Sequence, residues 1–67
     1  MMNIVLNGVP RQVPDGIMLA DLLEQMKLDA RTVVAEVSGA IVPRERFAAT
    51  VLHADDKVEL VSLVGGG

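Results

Sequence analysis

From its first residues the chain alternates between apolar runs and sharp interruptions. An apolar run at 4–6 is broken by Asn7-Gly8 and resumes at 9–13. Asn-Gly between apolar runs is a strong hairpin signal, because both central residues of a type I′ turn take positive φ. Pro10 has no N–H to give to a ladder, so the second strand belongs at a sheet edge. Pro14-Asp15-Gly16 reads as a turn. The period then changes. Leu19, Leu22, Leu23 and Met26 recur at i, i+3, i+4 and i+7, which is one face of a helix, and Asp21, Glu24, Gln25 and Lys27 lie largely off that stripe. Position 18 holds Met where a Ser or Thr cap is expected, leaving Asp15 as the candidate to serve the helix's N-terminal end.

A strand pattern returns at 33–37, its alternation blurred by Ala35 and Glu36. Ser38-Gly39 is a second turn, and 40–42 reads as the antiparallel return. Residues 43–47 read as a loop with one helical turn, Pro43 suiting its first position. Val51 and Leu52 make a minimal strand, Asp55-Asp56 a turn, and 58–64 the last strand. No internal repeat or linker interrupts this order. A hairpin, a helix crossing it and a last strand returning to the sheet centre make an α+β, β-grasp arrangement, a mixed sheet of four to five strands packed on one main helix. The first and last strands then lie side by side and parallel, and the helix stripe buries against Ile4, Leu6, Val58 and Leu60. The expected division is a domain over 1–64 and a flexible glycine tail over 65–67.

Composition narrows the chemistry. A chain of 67 residues supports one domain, and one this small hides only about 60% of the surface its unfolded chain exposes. Apolar residues at 51% and charged residues at 22% give a globular balance rather than a disordered one. Phe47 is the single aromatic residue, so the core is aliphatic. With no cysteine there is no disulfide, no thiol nucleophile and no zinc cluster of the Cys type, and an unstapled small domain fits the cytoplasm. The first residues show no basic leader, and no apolar stretch approaches a membrane span. A net charge of −3 without any run of Lys and Arg argues against nucleic acid as a partner. His53 near Asp55 and Asp56 reads as a surface turn, because no second His or Cys accompanies it. Arg44 and Arg46 read as solvated charges, and Met1, Met2, Met18 and Met26 as initiation and packing residues. Nothing has the form of a catalytic triad or a P-loop.

The three closing glycines, Gly65, Gly66 and Gly67, follow an apolar strand directly. With glycine at about 7% of average usage, three chosen positions are all glycine roughly three times in ten thousand. Such an end is either a frayed, solvated terminus or appendage or a working part. Glycine has no Cβ, so its backbone passes a narrow slot and approaches a nucleotide closely. The Gly67 carboxylate is open on both faces. ATP can activate it as an acyl-adenylate, and a sulfur nucleophile can displace AMP to leave a thiocarboxylate. No acid, base or metal of this chain is needed.

Several stretches carry a family resemblance. They are Asn7-Gly8 after the first strand, Ala20-Asp21-Leu22-Leu23 in the helix and Ile41-Val42-Pro43-Arg44 before the short turn. Asp55-Asp56-Lys57-Val58-Glu59-Leu60-Val61 then leads into Val64-Gly65-Gly66-Gly67. Over essentially all 67 residues the chain resembles the ThiS family, the ubiquitin-like sulfur carriers of thiamin biosynthesis. It departs at Met18, where family members often carry a Thr cap. The resemblance implies a ubiquitin-like β-grasp fold and a protein co-substrate rather than an enzyme. A ThiF-like adenylating enzyme would use ATP on Gly67, with no cofactor bound by the carrier itself. Sulfur would come ultimately from a cysteine desulfurase, and a ThiG-like thiazole synthase would accept it. Gly65 and Gly66 would thread the tail into both enzymes.

A docking surface follows from alternation in the last strand. If Val58 and Leu60 face the helix, Val61 and Leu63 face outward beside the tail, where exposed apolar residues mark a partner interface; single exposed apolar residues are also ordinary. Three function classes stand: a thiamin sulfur carrier; a carrier for molybdopterin, a cysteine route or tRNA thiolation; and a ubiquitin-like interaction module with an idle tail. A neighbouring thiazole synthase gene favours the first and a large molybdopterin synthase subunit the second. Loss of function on deleting Gly67 separates both from the third. The activated carboxylate is also the one that ubiquitin-like conjugation uses.

Overall fold

The hairpin at Asn7-Gly8 forms in the structure, a computed structural model that describes residues 1–63. Strands β1 (Met2–Leu6) and β2 (Val9–Val13) pair antiparallel with Leu6 opposite Val9. Asn7 and Gly8 sit at φ 49° and 81°, as a type I′ turn requires. Val5 lies opposite Pro10 and sends its own N–H the other way, to the Asp56 carbonyl at 2.9 Å. Val5 and Pro10 therefore form a non-hydrogen-bonded pair, and the missing N–H of Pro10 falls on the open edge of the sheet.

Helix α1 (Leu19–Gln25) follows, then a 3₁₀ turn (Ala30–Thr32), strands β3 (Val33–Val37) and β4 (Ala40–Val42), a 3₁₀ segment (Arg44–Ala49) and strand β5 (Lys57–Ser62). The five strands form one sheet in the order β2-β1-β5-β3-β4, with β5 parallel to β1 and antiparallel to β3. Val51, expected in a minimal strand, makes a single antiparallel bridge to Met18. The expected domain boundary at residue 64 lies outside the described residues.

The helix stripe packs as its spacing requires. Leu19, Leu22 and Leu23 are buried, and Met26 packs at the margin of the core. They meet Ile4, Leu6, Val58 and Leu60 from the sheet, with Val13, Ile17, Val33, Ala35 and Leu52 completing the core. Each such aliphatic side chain contributes about 1.5–3 kcal/mol when taken fully from water. Phe47 is also buried and ties the 3₁₀ segment down beneath the helix.

The two helix ends differ from the usual chemistry. Asp15 does not cap α1; its carboxylate lies 3.5 Å from the Met1 amino group. Met18 is the N-cap residue and gives no side-chain bond. Instead the Leu19 N–H, one of the orphan donors of the first turn, goes to the Thr50 carbonyl at 2.8 Å, and Leu52 N–H returns to the Ile17 carbonyl at 2.9 Å. The cap is thus a piece of backbone 31 residues downstream of Leu19, held in place by Phe47 and Leu52.

At the other end, Lys27 N–H bonds the Glu24 carbonyl and Leu28 N–H the Leu23 carbonyl, at 3.0 and 2.9 Å. These are the two bonds of a Schellman motif, and Leu28 packs against the core beside them. Its left-handed position, usually glycine, holds Lys27 at φ 58°. Lys27→Gly should therefore raise stability by about 0.5–1 kcal/mol, the relief of left-handed strain outweighing the freer unfolded chain. Urea denaturation followed by circular dichroism checks this; an equal loss would show that the lysine stem supplies packing.

Candidate functional site

Strand β5 comes last in the chain and lies in the middle of the sheet. On one side Val5 and Leu6 pair with Lys57 and Val58; on the other, Val33 to Val37 run antiparallel to it, with Val34 opposite Val61 and Glu36 opposite Glu59. Its alternation sends Val58 and Leu60 into the core and leaves Val61 57% exposed on the opposite face. Leu63, just past the strand, is 66% exposed. Both expected docking residues are therefore on the surface, a few positions before the glycines. Val64 and the expected reacting and threading residues Gly65, Gly66 and Gly67 lie outside the described residues.

Cross-strand register adds residues that alternation within one strand did not reveal. Val34 stands beside Val61 on the outer face, and Ile41, opposite Glu36 on β4, is 69% exposed. Val34 and Val61, with Leu63 following, thus make an apolar band, and Ile41 on β4 flanks it diagonally, in the same cross-strand row as Glu36 and Glu59. Glu36 and Glu59 border it directly opposite each other, an arrangement that disfavours the isolated sheet. The band was hidden in the sequence because it depends on which strands become neighbours.

Among the described residues, the backbone bond furthest along this segment is from Leu63 N–H to the Thr32 carbonyl, at 2.7 Å. Thr32 ends the 3₁₀ turn that Asp29 caps. The Asp29 carboxylate accepts from the Arg31 backbone N–H at 2.9 Å and from its guanidinium at 2.8 Å. The Arg31 side chain, foremost by these hydrogen bonds, holds the Asp29 pKa down at about 2. Elsewhere, Asp56 closes the turn before β5, accepting from the His53 N–H and the Ser38 hydroxyl at 2.8 and 3.3 Å. Its carboxylate is thus occupied in shaping the loop. Among the described residues no three His, Asp or Glu side chains gather as metal ligands, and no helix is long and apolar enough to cross a membrane.

A mixed five-stranded sheet folded on one helix, with the final strand central and parallel to the first, defines the class as a ubiquitin-like β-grasp domain. The ThiS family model matches residues 4–67, and the chain belongs to the ThiS family. The crystal structure of the thiamine biosynthesis protein ThiS from Geobacter metallireducens superposes with a TM-score of 0.84 at 35% identity, covering 98% of this chain and 100% of that one. A stretch of the thiazole synthase of Magnetococcus marinus is 38% identical over 66 residues, and one in that of Paramagnetospirillum magneticum is 33% identical. This chain spans only 20% of the length of either. The ycf40 protein of Porphyra purpurea, 92% covered, is 29% identical over 65 residues.

The Asp29 clamp has a defined pH dependence. Its folded pKa lies below the ordinary 3.8, so its contribution is complete above 3.8 and disappears as pH falls through about 2. A carboxyl NMR titration should show Asp29 half-protonated near 2, and Arg31→Ala should return it to the ordinary range. Titration at the ordinary value in both proteins would contradict the clamp.

Proposed function

We propose that the protein is a sulfur carrier of thiamin biosynthesis, a co-substrate whose reacting group is the Gly67 carboxylate. The observation that carries this reading is family membership over residues 4–67, a match that includes the three glycines. An adenylating enzyme joins the carboxylate to AMP, releasing pyrophosphate from ATP. A sulfur nucleophile, hydrosulfide or an enzyme persulfide, then attacks the activated carbonyl. The C–S bond forms, the C–O bond to AMP breaks, and AMP leaves with one of the original carboxylate oxygens. With a persulfide donor, its S–S bond must then be cleaved by a thiol to free the thiocarboxylate. Gly65 and Gly66 allow the tail to enter a narrow active site without side-chain clashes.

The relatives named thiazole synthase support that enzyme as the acceptor of the sulfur. Their longer chains contain a stretch similar to this one, so carrier-like and synthase sequences occur in a single polypeptide. Covalent linkage of that kind raises the effective concentration of two parts that work together. For this protein the proposal is that the carrier domain meets such a synthase through a surface of its own. The apolar band of Val34, Val61 and Leu63, flanked by Ile41, is the docking face, and it brings the glycine tail to the enzyme.

Intact mass spectrometry tests the chemistry. After incubation with ATP, sulfide and the adenylating enzyme of the same genome, the protein should gain the mass of one sulfur for one oxygen. Deleting Gly67, or appending a residue after it, should abolish the gain. An unchanged wild-type mass, with an enzyme active on another carrier, would leave the interaction-module reading in its place.

Docking is tested separately. Val61→Asp and Leu63→Asp should each weaken binding to the adenylating enzyme about tenfold or more, a loss of about 1.4 kcal/mol. Stability should fall by no more than about 1 kcal/mol, since both side chains are exposed and the cost is one of strand propensity and like charge rather than of the core. Unchanged affinity, measured by calorimetry, would remove the band from the interface.

A further inference from the structure

Strand β1 supplies only Val5 and Leu6 to the parallel ladder with β5, and the chain then leaves the sheet at Asn7-Gly8. β5 continues past Val58 to Ser62, still paired with β3 on its other side. On the β1 side the next backbone groups to need partners are those of Leu60. The Asn7 side chain takes both of them. Its Oδ1 accepts from the Leu60 N–H at 2.8 Å, and its Nδ2 donates to the Leu60 carbonyl at 3.3 Å. Its own backbone N–H bonds the Val58 carbonyl at 2.9 Å.

A carboxamide carries the donor and acceptor of a peptide group, so Asn7 adds one rung to a ladder whose strand has ended. Both contacts are half-buried and join residues 53 positions apart. The turn by itself asks only for a residue that tolerates φ 49°, which glycine does better than asparagine. Asparagine meets a second requirement that glycine cannot, and this separates the two roles experimentally.

We propose that Asn7 is a positioning residue for the reacting end of the protein. By holding Leu60 it fixes the last part of β5, from which the docking residues Val61 and Leu63 and then the glycines extend. This rests on the carrier reading above. Without the carboxamide rung the end of β5 is held from the β3 side alone, and the enzyme has to order it on binding. The activating groups belong to the enzyme, so the loss falls on KM and leaves kcat in place.

Asn7→Gly keeps the turn and removes the rung. NMR amide exchange on the free protein should show the Leu60 amide exchanging at least tenfold faster relative to core amides such as those of α1. In the thiocarboxylation assay KM should rise several-fold at unchanged kcat. A core variant of matched stability, Leu52→Val, should raise neither the relative Leu60 exchange nor KM, which sets positioning apart from general loosening. Unchanged exchange and KM in Asn7→Gly would make Asn7 a turn residue and overturn the proposal. Should the wild-type protein acquire no sulfur, the carrier reading fails on its own, and Leu60 exchange decides whether Asn7 holds the strand.

Discussion

The pairing of β5 between β1 and β3 is the constraint on which the rest depends. The last strand of the chain is the centre of the sheet, so the core is open until it arrives. Val58 and Leu60 close the floor beneath Leu19, Leu22 and Leu23, and both neighbouring strands complete their ladders against it. Contacts between residues this far apart in sequence carry a large loop-closure cost and slow folding. The same arrangement has a functional consequence. A strand paired along its length with β3, held on its other side by β1 and then by the Asn7 side chain, with its inner face in the core, is a rigid base for whatever follows it. Here that is Leu63 and Val64 and then three glycines.

A carrier of this kind divides its labour along one strand. The inner residues of β5 stabilise the fold, the outer ones join a band shared with β3 and flanked by β4, and the continuation bears the reacting group in the proposed function. In that proposal the activating groups belong to the partner enzyme, and the carrier's part is to present its end. The opposed Glu36 and Glu59 beside the band are a small cost to the isolated sheet. Asn7 belongs to the same division, since one side chain both turns the hairpin and supports the strand that leads to the tail.

Features governed by neighbours in sequence were legible without coordinates. Asn7-Gly8 announced its turn through the positive φ that both residues need, and Pro10 announced an edge by lacking an N–H. The leucine spacing gave the helix and its buried face. The β-grasp order followed from these, and alternation alone exposed Val61 and Leu63. What was hidden depends on contacts distant in sequence. Asp15 was the plausible cap for α1, yet the Thr50 carbonyl does part of that work, because the segment around Phe47 folds back beneath the helix. Val34 and Ile41 became part of the site only through register, and the grip of Asn7 on Leu60 only through the sheet order. The glycines were conspicuous in the sequence, and their role rests on chemistry and kinship.

The central claim is that the Gly67 carboxylate is the group an adenylating enzyme activates. Exchange of labelled pyrophosphate into ATP tests this before any sulfur is involved, because the exchange requires reversible formation of the acyl-adenylate. The account predicts exchange that depends on this protein and disappears when one residue is appended after Gly67. Exchange that persists with the blocked end would place activation elsewhere on the chain, and none with the native end and an active enzyme would deny this protein the carrier's role with that enzyme.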